Sequence, residues 1–363
     1  DLYVAPGTSI ANRVGLRAWS AWANTFGAQE YGRPLFMAAS ADLAGSTNIA
    51  GFAEGYGDFE GYGWYERFGS PEGTLLPQEI TEFANAGILI GMSTVNFANN
   101  PEKYFSGFYG AFSTYGSFSY LKYGMLRLFS QLAQDCDWKV GKVIWIAGHS
   151  GPETADDSRT HFGIFSPGVT QLFPEGHVIN LHPWEYNEVP VLIGAALAQS
   201  APIIALHLTR PPVEIPDRAA LGMPSHFAAA RGAYVVREYA RRGDAPKGGT
   251  LIVQGTSAMA SIVKVLPELD ARGLNVKIVC ATSPQLFALQ PEDYRDSVLP
   301  VEDWIDSTVI TTQARWLMHD WLYSKVSEDY ALSADWDNRW RTGGTLTEVI
   351  EEAHLSPEWA LDG

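Results

Sequence analysis

The stretch from His149 to His161, His-Ser-Gly-Pro-Glu-Thr-Ala-Asp-Asp-Ser-Arg-Thr-His, gathers two histidines, two neighbouring aspartates and an arginine. Histidine moves protons near neutral pH, and aspartate orients a hydroxyl. The stretch follows Val143-Ile144-Trp145-Ile146-Ala147, an unbroken apolar run that predicts a buried parallel strand. A loop at the carboxyl end of such a strand is where open α/β sheets bind ligands. Taken alone, the segment reads first as a polar surface loop. The rest of the chain shifts that balance.

The 363 residues are 46% hydrophobic and 18% charged, enough for two compact domains. No apolar run is long enough to cross a bilayer, and no signal peptide is expected. The first residue is Asp1 rather than Met, which suggests processing, trimming or an internal start. Cys136 and Cys280 are the two cysteines and sit in dissimilar contexts. They form no disulfide framework or zinc motif, so a reducing cytoplasm is the expected location. A net charge of -16 argues against nucleic acid, whose phosphate backbone needs a basic face. Small phosphorylated ligands need only a few local Arg and His groups. The 12 Trp and 16 Tyr point to large buried or subunit-contact surfaces.

The elements that must position the polar loop follow from the pattern. Helices are expected from Asp1 to about Arg33, from Gln78 to Val95, from near Phe118 to about Asp135 and from about Asn187 to Gln199. Strands are expected at Leu35–Ser40, Val143–Ala147, Val178–Leu181 and Pro202–Leu208. Alternating strands and helices imply a doubly wound sheet. Pro211 to Pro216 breaks the pattern and opens a linker. A second α/β unit follows, with strands at Thr250–Val253, Val276–Val279 and Thr308–Thr311. The expected fold is α/β: two doubly wound, mainly parallel-sheet domains, at residues 1–212 and 231–363, joined by a linker at 213–230. Gln254-Gly255-Thr256-Ser257 is a strand-to-helix turn of a kind that binds anions, though its glycine pattern is incomplete. Gly51 to Ser70 reads as an ordered aromatic loop, and the aromatic run Tyr104 to Tyr123 as core with a subset able to clamp a flat heterocycle.

Several dispersed motifs, in order, resemble the transketolase family over its middle (pyrimidine-binding) and C-terminal domains. Asn12-Arg13 resembles the Ser-Arg that opens the middle domain. Ser40-Ala41-Asp42-Leu43, followed by Ser46, resembles a Ser-Ala-Asp-Leu turn. Thr81-Glu82-Phe83 stands where the family has Arg-Glu-Phe. His149, Asp157 and His161 keep the spacing of a phosphate-side histidine and a Glu-Asp-Gly-Pro-Thr-His motif. Leu208-Thr209-Arg210 resembles Leu-Ser-Arg, and Tyr294 to Pro300 resembles Tyr-Arg-Glu-Ser-Val-Leu-Pro.

The resemblance implies roles. Glu82 would sit on the aminopyrimidine of thiamine diphosphate and favour its imino tautomer. Tyr115 and Phe118 would pack around the pyrimidine, with Leu121 where a third aromatic often stands. Asp42 is grouped on the cofactor side, its plainest role being that of a turn or interface residue. His161 would bond the substrate near its carbonyl, and Asp157 the C2 hydroxyl of an acceptor aldose. Arg13, Ser46, His149 and Arg210 would hold the terminal sugar phosphate by charge-assisted bonds. Each has an ordinary alternative, such as a surface ion pair or a turn cap. Four phosphate-side positions together are harder to match by chance than one.

The family's Gly-Asp-Gly, which holds the cofactor diphosphate and its Mg2+ or Ca2+, has no counterpart in this sequence. Arg242-Gly243-Asp244 falls in the wrong domain. No metal ligand is therefore expected here. The expected partner is a chain carrying the diphosphate-binding domain, in a heterotetramer with two copies of each chain; a trimmed full-length enzyme is the close alternative. Ala155 to Phe162 lacks the family's Gly-Pro and adds Arg159, which alters the expected sugar preference. The implied activity is transfer of a two-carbon ketol unit between sugar phosphates, with no nucleic acid or membrane partner. The competing functions are the β subunit of a 2-oxo acid dehydrogenase, which has no need of the phosphate set, and a non-catalytic assembly subunit.

Overall fold

A computed structural model describes residues 2–54, 63–77, 79–153, 160–161, 163–240 and 246–363. The chain opens with β1 (Ser9–Ala11), α1 (Asn12–Tyr31), β2 (Phe36–Ser40), β3 (Leu75–Leu76) and α2 (Glu82–Thr94). It continues through β4 (Tyr109–Thr114), a 3-10 stretch at Gly116–Lys122, α3 (Tyr123–Asp135), β5 (Val143–Ala147), β6 (Val178–Leu181), α4 (Glu188–Leu197) and β7 (Ile203–His207). These strands form a parallel sheet of order β3-β2-β4-β5-β7-β6.

Both faces of this sheet are covered, which explains the unbroken apolar runs. Side chains alternate across a strand. Ala38, Ala111, Ile144, Ile146, Ile204 and Leu206 therefore pack with Leu16 and Trp19 of α1 and with Val189 and Leu192 of α4. Their neighbours Ala39, Phe112, Val143, Trp145, Ile203 and Ala205 pack with Ala86 and Leu89 of α2 and Leu126 and Phe129 of α3.

After β8 (Pro212–Glu214) comes the second unit: β9 (Ala233–Arg237), β10 (Thr250–Gln254), α5 (Thr256–Ala271) and β11 (Lys277–Ala281). Three short helices follow, α6 (Pro284–Ala288), α7 (Glu292–Val298) and α8 (Val301–Ile305), then β12 (Ser307–Thr311), α9 (Lys325–Asp329), β13 (Leu332–Ser333), α10 (Leu346–Glu352) and α11 (Pro357–Asp362). The sheet order is β13-β12-β10-β11-β9, parallel except for β9. Two mainly parallel sheets thus match the expected fold class. Among the described residues no helix is long and apolar enough to cross a membrane.

Several local readings differ from the structure. The first helix starts at Asn12, because Pro6-Gly7 breaks the chain and Ser9–Ala11 pairs antiparallel with Pro212–Glu214. The proline-rich start of the linker is thus a strand; Pro212 is tolerated on so short an edge ribbon. The helix expected from Gln78 begins at Glu82. The one expected near Phe118 is a 3-10 stretch up to Lys122 and becomes α-helical at Tyr123. The central strand β4 lies inside the aromatic run that was read as core and clamp.

The two units share one apolar cluster, in which Trp184 and Leu192 meet Tyr234, Ala258, Met259 and Ile262. A buried polar knot lies within it. Arg218 Nη2 donates to Glu185 Oε1 and Glu188 Oε1, each at 2.8 Å, and Nη1 donates to Tyr234 Oη at 3.1 Å. Tyr234 Oη in turn donates to Glu188 Oε1 at 2.6 Å. Burial, then neighbouring Glu188, push the Glu185 carboxyl up, and Arg218 opposes them. Removing one member of a buried ionic group strands the others. Arg218→Met is therefore expected to cost about 3–5 kcal/mol, read as a lower urea midpoint; a loss under about 1 kcal/mol would mean that the knot contributes little.

Candidate active site

The candidate residues gather where the parallel strands end. Ser46 follows β2, Tyr115 follows β4, His149 follows β5, and Thr209-Arg210 follow β7. These four strands are neighbours in the sheet, so their carboxyl ends make one rim, the ligand-binding edge of such sheets.

Arg13 reaches this rim from the first turn of α1. Its Nη1 donates to the Ser46 carbonyl at 2.6 Å and meets His149 Nε2 at 2.6 Å. A guanidinium can only donate, so Nε2 accepts and the neutral ring carries its proton on Nδ1. His149 is buried. Ser46 joins the group through its backbone, while its hydroxyl donates to the Leu43 carbonyl at 3.3 Å. Arg210 is half-buried and follows Thr209, whose N–H donates to the side-chain oxygen of Asn12 at 2.8 Å. Both arginines therefore leave one bonded pair of residues. A guanidinium beside a histidine, with a second arginine on a segment bonded to its own, is suited to an anion such as a phosphate.

The aromatic side of the rim is equally compact. The Tyr115 ring stacks on His149 (centroids 4.2 Å apart, 19° between planes) and touches His161 at 4.5 Å; Phe118 meets His161 edge-on at 5.8 Å. Gly116 makes the approach possible, since a Cβ there would lie 2.6 Å from the His149 carbonyl oxygen.

Glu82 is the first residue of α2, where a carboxylate suits the helix dipole. It is nevertheless buried, and Thr114 Oγ1 donates to its Oε1 at 2.9 Å. Thr114 lies two residues after Phe112 on β4, so both face α2. Over Phe112, at 5.0 Å from its centroid, lies the Nζ of Lys122. This lysine is fully buried, and its Nζ has no hydrogen-bond partner. Burial pushes its amine well below the usual lysine range, and the Glu82 carboxylate acts in the opposite direction.

The other expected residues stand apart. Asp42 is exposed and has φ 60° in the turn after β2, a geometry suited to a turn residue. Leu121 is 40% exposed, so it is not enclosed with Tyr115. Asp157 lies outside the described residues.

Residues 232–330 match the family of transketolase-like C-terminal domains. The chain is 32% identical over 158 residues to the transketolase of Geobacillus stearothermophilus, a match covering 44% of this chain and 22% of that enzyme. In structure it is similar to the transketolase of Leishmania mexicana (TM-score 0.71, 17% identity), covering 99% of this chain and 45% of that one. It is likewise similar to a transketolase of Pichia stipitis in complex with sedoheptulose 7-phosphate (TM-score 0.68, 18% identity), covering 98% and 45%. Fold and C-terminal match together correspond to the paired pyrimidine and C-terminal domains of transketolases. The chain is similar to transketolases over its C-terminal domain in sequence and over nearly its whole length in fold, and it spans less than half the length of the relatives it matches.

The residues present fit one half of thiamine diphosphate. A buried carboxylate already anchored by Thr114, beside Tyr115 and Phe118, is the donor set an aminopyrimidine ring requires. Among the described residues no cluster of three His, Cys, Asp or Glu could hold a metal ion.

The sequence assigned no role to Thr114, Lys122, Glu153 or the His182–His207 pair, and Asn12 entered only as the motif neighbour of Arg13. The paired rings stack at 4.4 Å and 3°, and each histidine sits at the carboxyl end of a neighbouring strand. Only the run of apolar strand ends signalled their position. Burial holds the His207 imidazole down to about 3, and holds His182 well below its usual value. The unfolded chain takes up a proton at each near pH 6.5, whereas the folded chain does not. Stability therefore falls as pH drops from 6.5 towards 3, by up to about 1.4 kcal/mol per pH unit for each histidine. Urea unfolding of wild type and His207→Asn at pH 7 and 5 tests this. The variant should lose less stability on acidification; equal losses would mean that His207 titrates normally when folded.

Proposed function

We propose that this chain is one part of a thiamine-diphosphate-dependent transketolase, which moves a two-carbon ketol unit from a ketose phosphate to an aldose phosphate. A partner chain, or another segment of a longer protein, would supply the diphosphate-binding domain with its Mg2+ or Ca2+. The observation that carries this reading is the convergence of Arg13, Ser46 and His149 with Tyr115 and His161 on the sheet rim, next to a buried Glu82.

When bound, thiamine diphosphate supplies the carbanion that carries the two-carbon unit. Glu82 then holds a hydrogen bond to the pyrimidine ring nitrogen, with Thr114 fixing the carboxylate. Tyr115 and Phe118 pack on the ring and exclude water. His161 donates to the sugar near its carbonyl. The guanidinium groups of Arg13 and Arg210, with His149, bind the terminal phosphate; the phosphate replaces the Arg13–His149 contact seen in the free chain. Asp157 recognises the acceptor's C2 hydroxyl. The phosphate set supports this reading over the β subunit of a 2-oxo acid dehydrogenase, whose substrates need no such group.

A partner is further supported by apolar surface. Phe83 of α2, Tyr120 and Leu121 of the 3-10 stretch, and Leu128 of α3 are all exposed, and exposed aromatic patches mark subunit contacts. A heterotetramer with two copies of each chain, in the cytoplasm, is the assembly proposed.

Two substitutions test the chemistry in the assembled enzyme. Glu82→Ala is expected to lower kcat by about 10²–10³-fold; full activity would rule out the proposed role. Arg210→Ala is expected to raise KM for a phosphorylated acceptor about tenfold, and an unchanged KM would count against the sugar phosphate.

A further inference from the structure

The turn Gln254–Ser257, which opens α5 of the second unit, has the form of an anion site. In the structure it is occupied by a carboxyl group of the same chain, which burial pushes up from the usual carboxylate range. Glu153, from the loop that carries His149, accepts at Oε1 from the Ser257 backbone N–H at 3.1 Å and from the Ser257 hydroxyl. Glu153 is almost wholly buried. Gly255 adopts φ 106°, and a Cβ there would lie 2.0 Å from Thr312 Oγ1, so the turn has no room for a side chain at this position.

The residue between, Thr256, closes a ring of hydrogen bonds. Asn12 Nδ2 lies 3.2 Å from Thr256 Oγ1, Thr256 Oγ1 2.8 Å from Thr209 Oγ1, and Thr209 Oγ1 3.2 Å from Asn12 Oδ1. One assignment satisfies every atom. The amide donates to Thr256, Thr256 donates to Thr209, and Thr209 donates back to the amide oxygen. The second amide hydrogen goes to the Pro183 carbonyl at 2.8 Å, and the amide oxygen also accepts the Thr209 N–H at 2.8 Å. All three side chains are buried. A closed, fully satisfied ring in a low-dielectric interior is stiff, and its members strengthen one another.

Sequence adjacency gives the ring its consequence. Asn12 precedes Arg13, Thr209 precedes Arg210, and Glu153 shares a loop with His149. The segments bearing Arg13, Arg210 and His149, three of the four phosphate-side candidates, are therefore each tied to Thr256 or Ser257. We infer that Thr256 and Ser257 are positioning residues for the phosphate end of the site: the second domain sets the spacing of Arg13, Arg210 and His149 without touching the sugar. The inference rests on the phosphate role proposed for those three residues.

The assembled enzyme is compared with ribose 5-phosphate and with ribose as acceptor. Thr256→Val keeps the shape and removes the hydroxyl; Thr256→Ser restores it. The valine variant is expected to raise KM for ribose 5-phosphate about tenfold, to leave kcat within about twofold and to leave ribose kinetics unchanged. The serine variant should behave as wild type. Equal effects on both sugars, or none, would overturn the inference.

Hydrogen exchange of the assembled enzyme gives a readout independent of turnover. The Thr209 amide reports the ring directly and should exchange faster in Thr256→Val; unchanged protection would overturn the inference. Should that variant not fold, Ser257→Ala carries the same kinetic test through Glu153 and the His149 loop. Arg210→Ala separates the two layers. If it abolishes the preference for ribose 5-phosphate while Thr256→Val leaves that preference intact, only the positioning role fails. If Arg210→Ala also has no effect, the phosphate reading fails and the inference fails with it.

Discussion

One ring of three buried side chains, Asn12, Thr209 and Thr256, joins the first helix, the end of the first sheet and the opening helix of the second unit. Through it polar side chains of the two units pair across the domain boundary. The Arg218 knot does the same deeper in the boundary, with Tyr234 of β9 completing the set begun by Glu185 and Glu188. Buried polar groups that are fully paired specify a single arrangement more sharply than apolar contact alone. The two α/β units thus share a continuous core and two polar fastenings, and the ligand rim of the first unit is braced by the second.

The rim itself divides by chemistry. One side is a buried carboxylate with a threonine donor and two aromatic rings, suited to a flat nitrogen heterocycle. The other is an arginine, a neutral histidine and a second arginine nearby, suited to a phosphate. His161 stands between the two, touching both Tyr115 and Phe118. A substrate with a reactive carbonyl near one end and a phosphate at the other would span this arrangement. The relatives it matches are more than twice as long, consistent with a site completed by further polypeptide.

Much of this was legible in the sequence, for physical reasons that can be named. Val143–Ala147 and Val178–Leu181 emerged with their observed bounds because a strand covered on both faces leaves a short, uninterrupted apolar run. His149 and His161 stood out as proton-moving residues in a polar loop after an apolar strand, whereas Arg13 and Glu82 were marked only by the resemblance of their motifs to transketolase. The strand Tyr109–Thr114 was hidden by its own composition: Gly110, Ala111, Ser113 and Thr114 are small, and the aromatics around them gave no alternation. Ser9–Ala11 and Pro212–Glu214 are strands only because they find each other across the whole first domain. The ring escaped for the same reason. Asn12 and Thr256 are 244 residues apart, and no local periodicity reports a contact at that distance. The Gln254–Ser257 turn was legible as a strand-to-helix turn with an incomplete anion-binding pattern, and its contact with Glu153 was visible only in three dimensions.

The most direct test of the account is the native mass and composition of the protein isolated from its source in the presence of thiamine diphosphate and magnesium. The account predicts a complex in which this polypeptide is accompanied by a diphosphate-binding domain containing Gly-Asp-Gly, with cofactor retained. That domain would lie on a second chain or on a longer form of the same one. An assembly of this chain alone that retains no cofactor would contradict the claim that it forms half of a transketolase site.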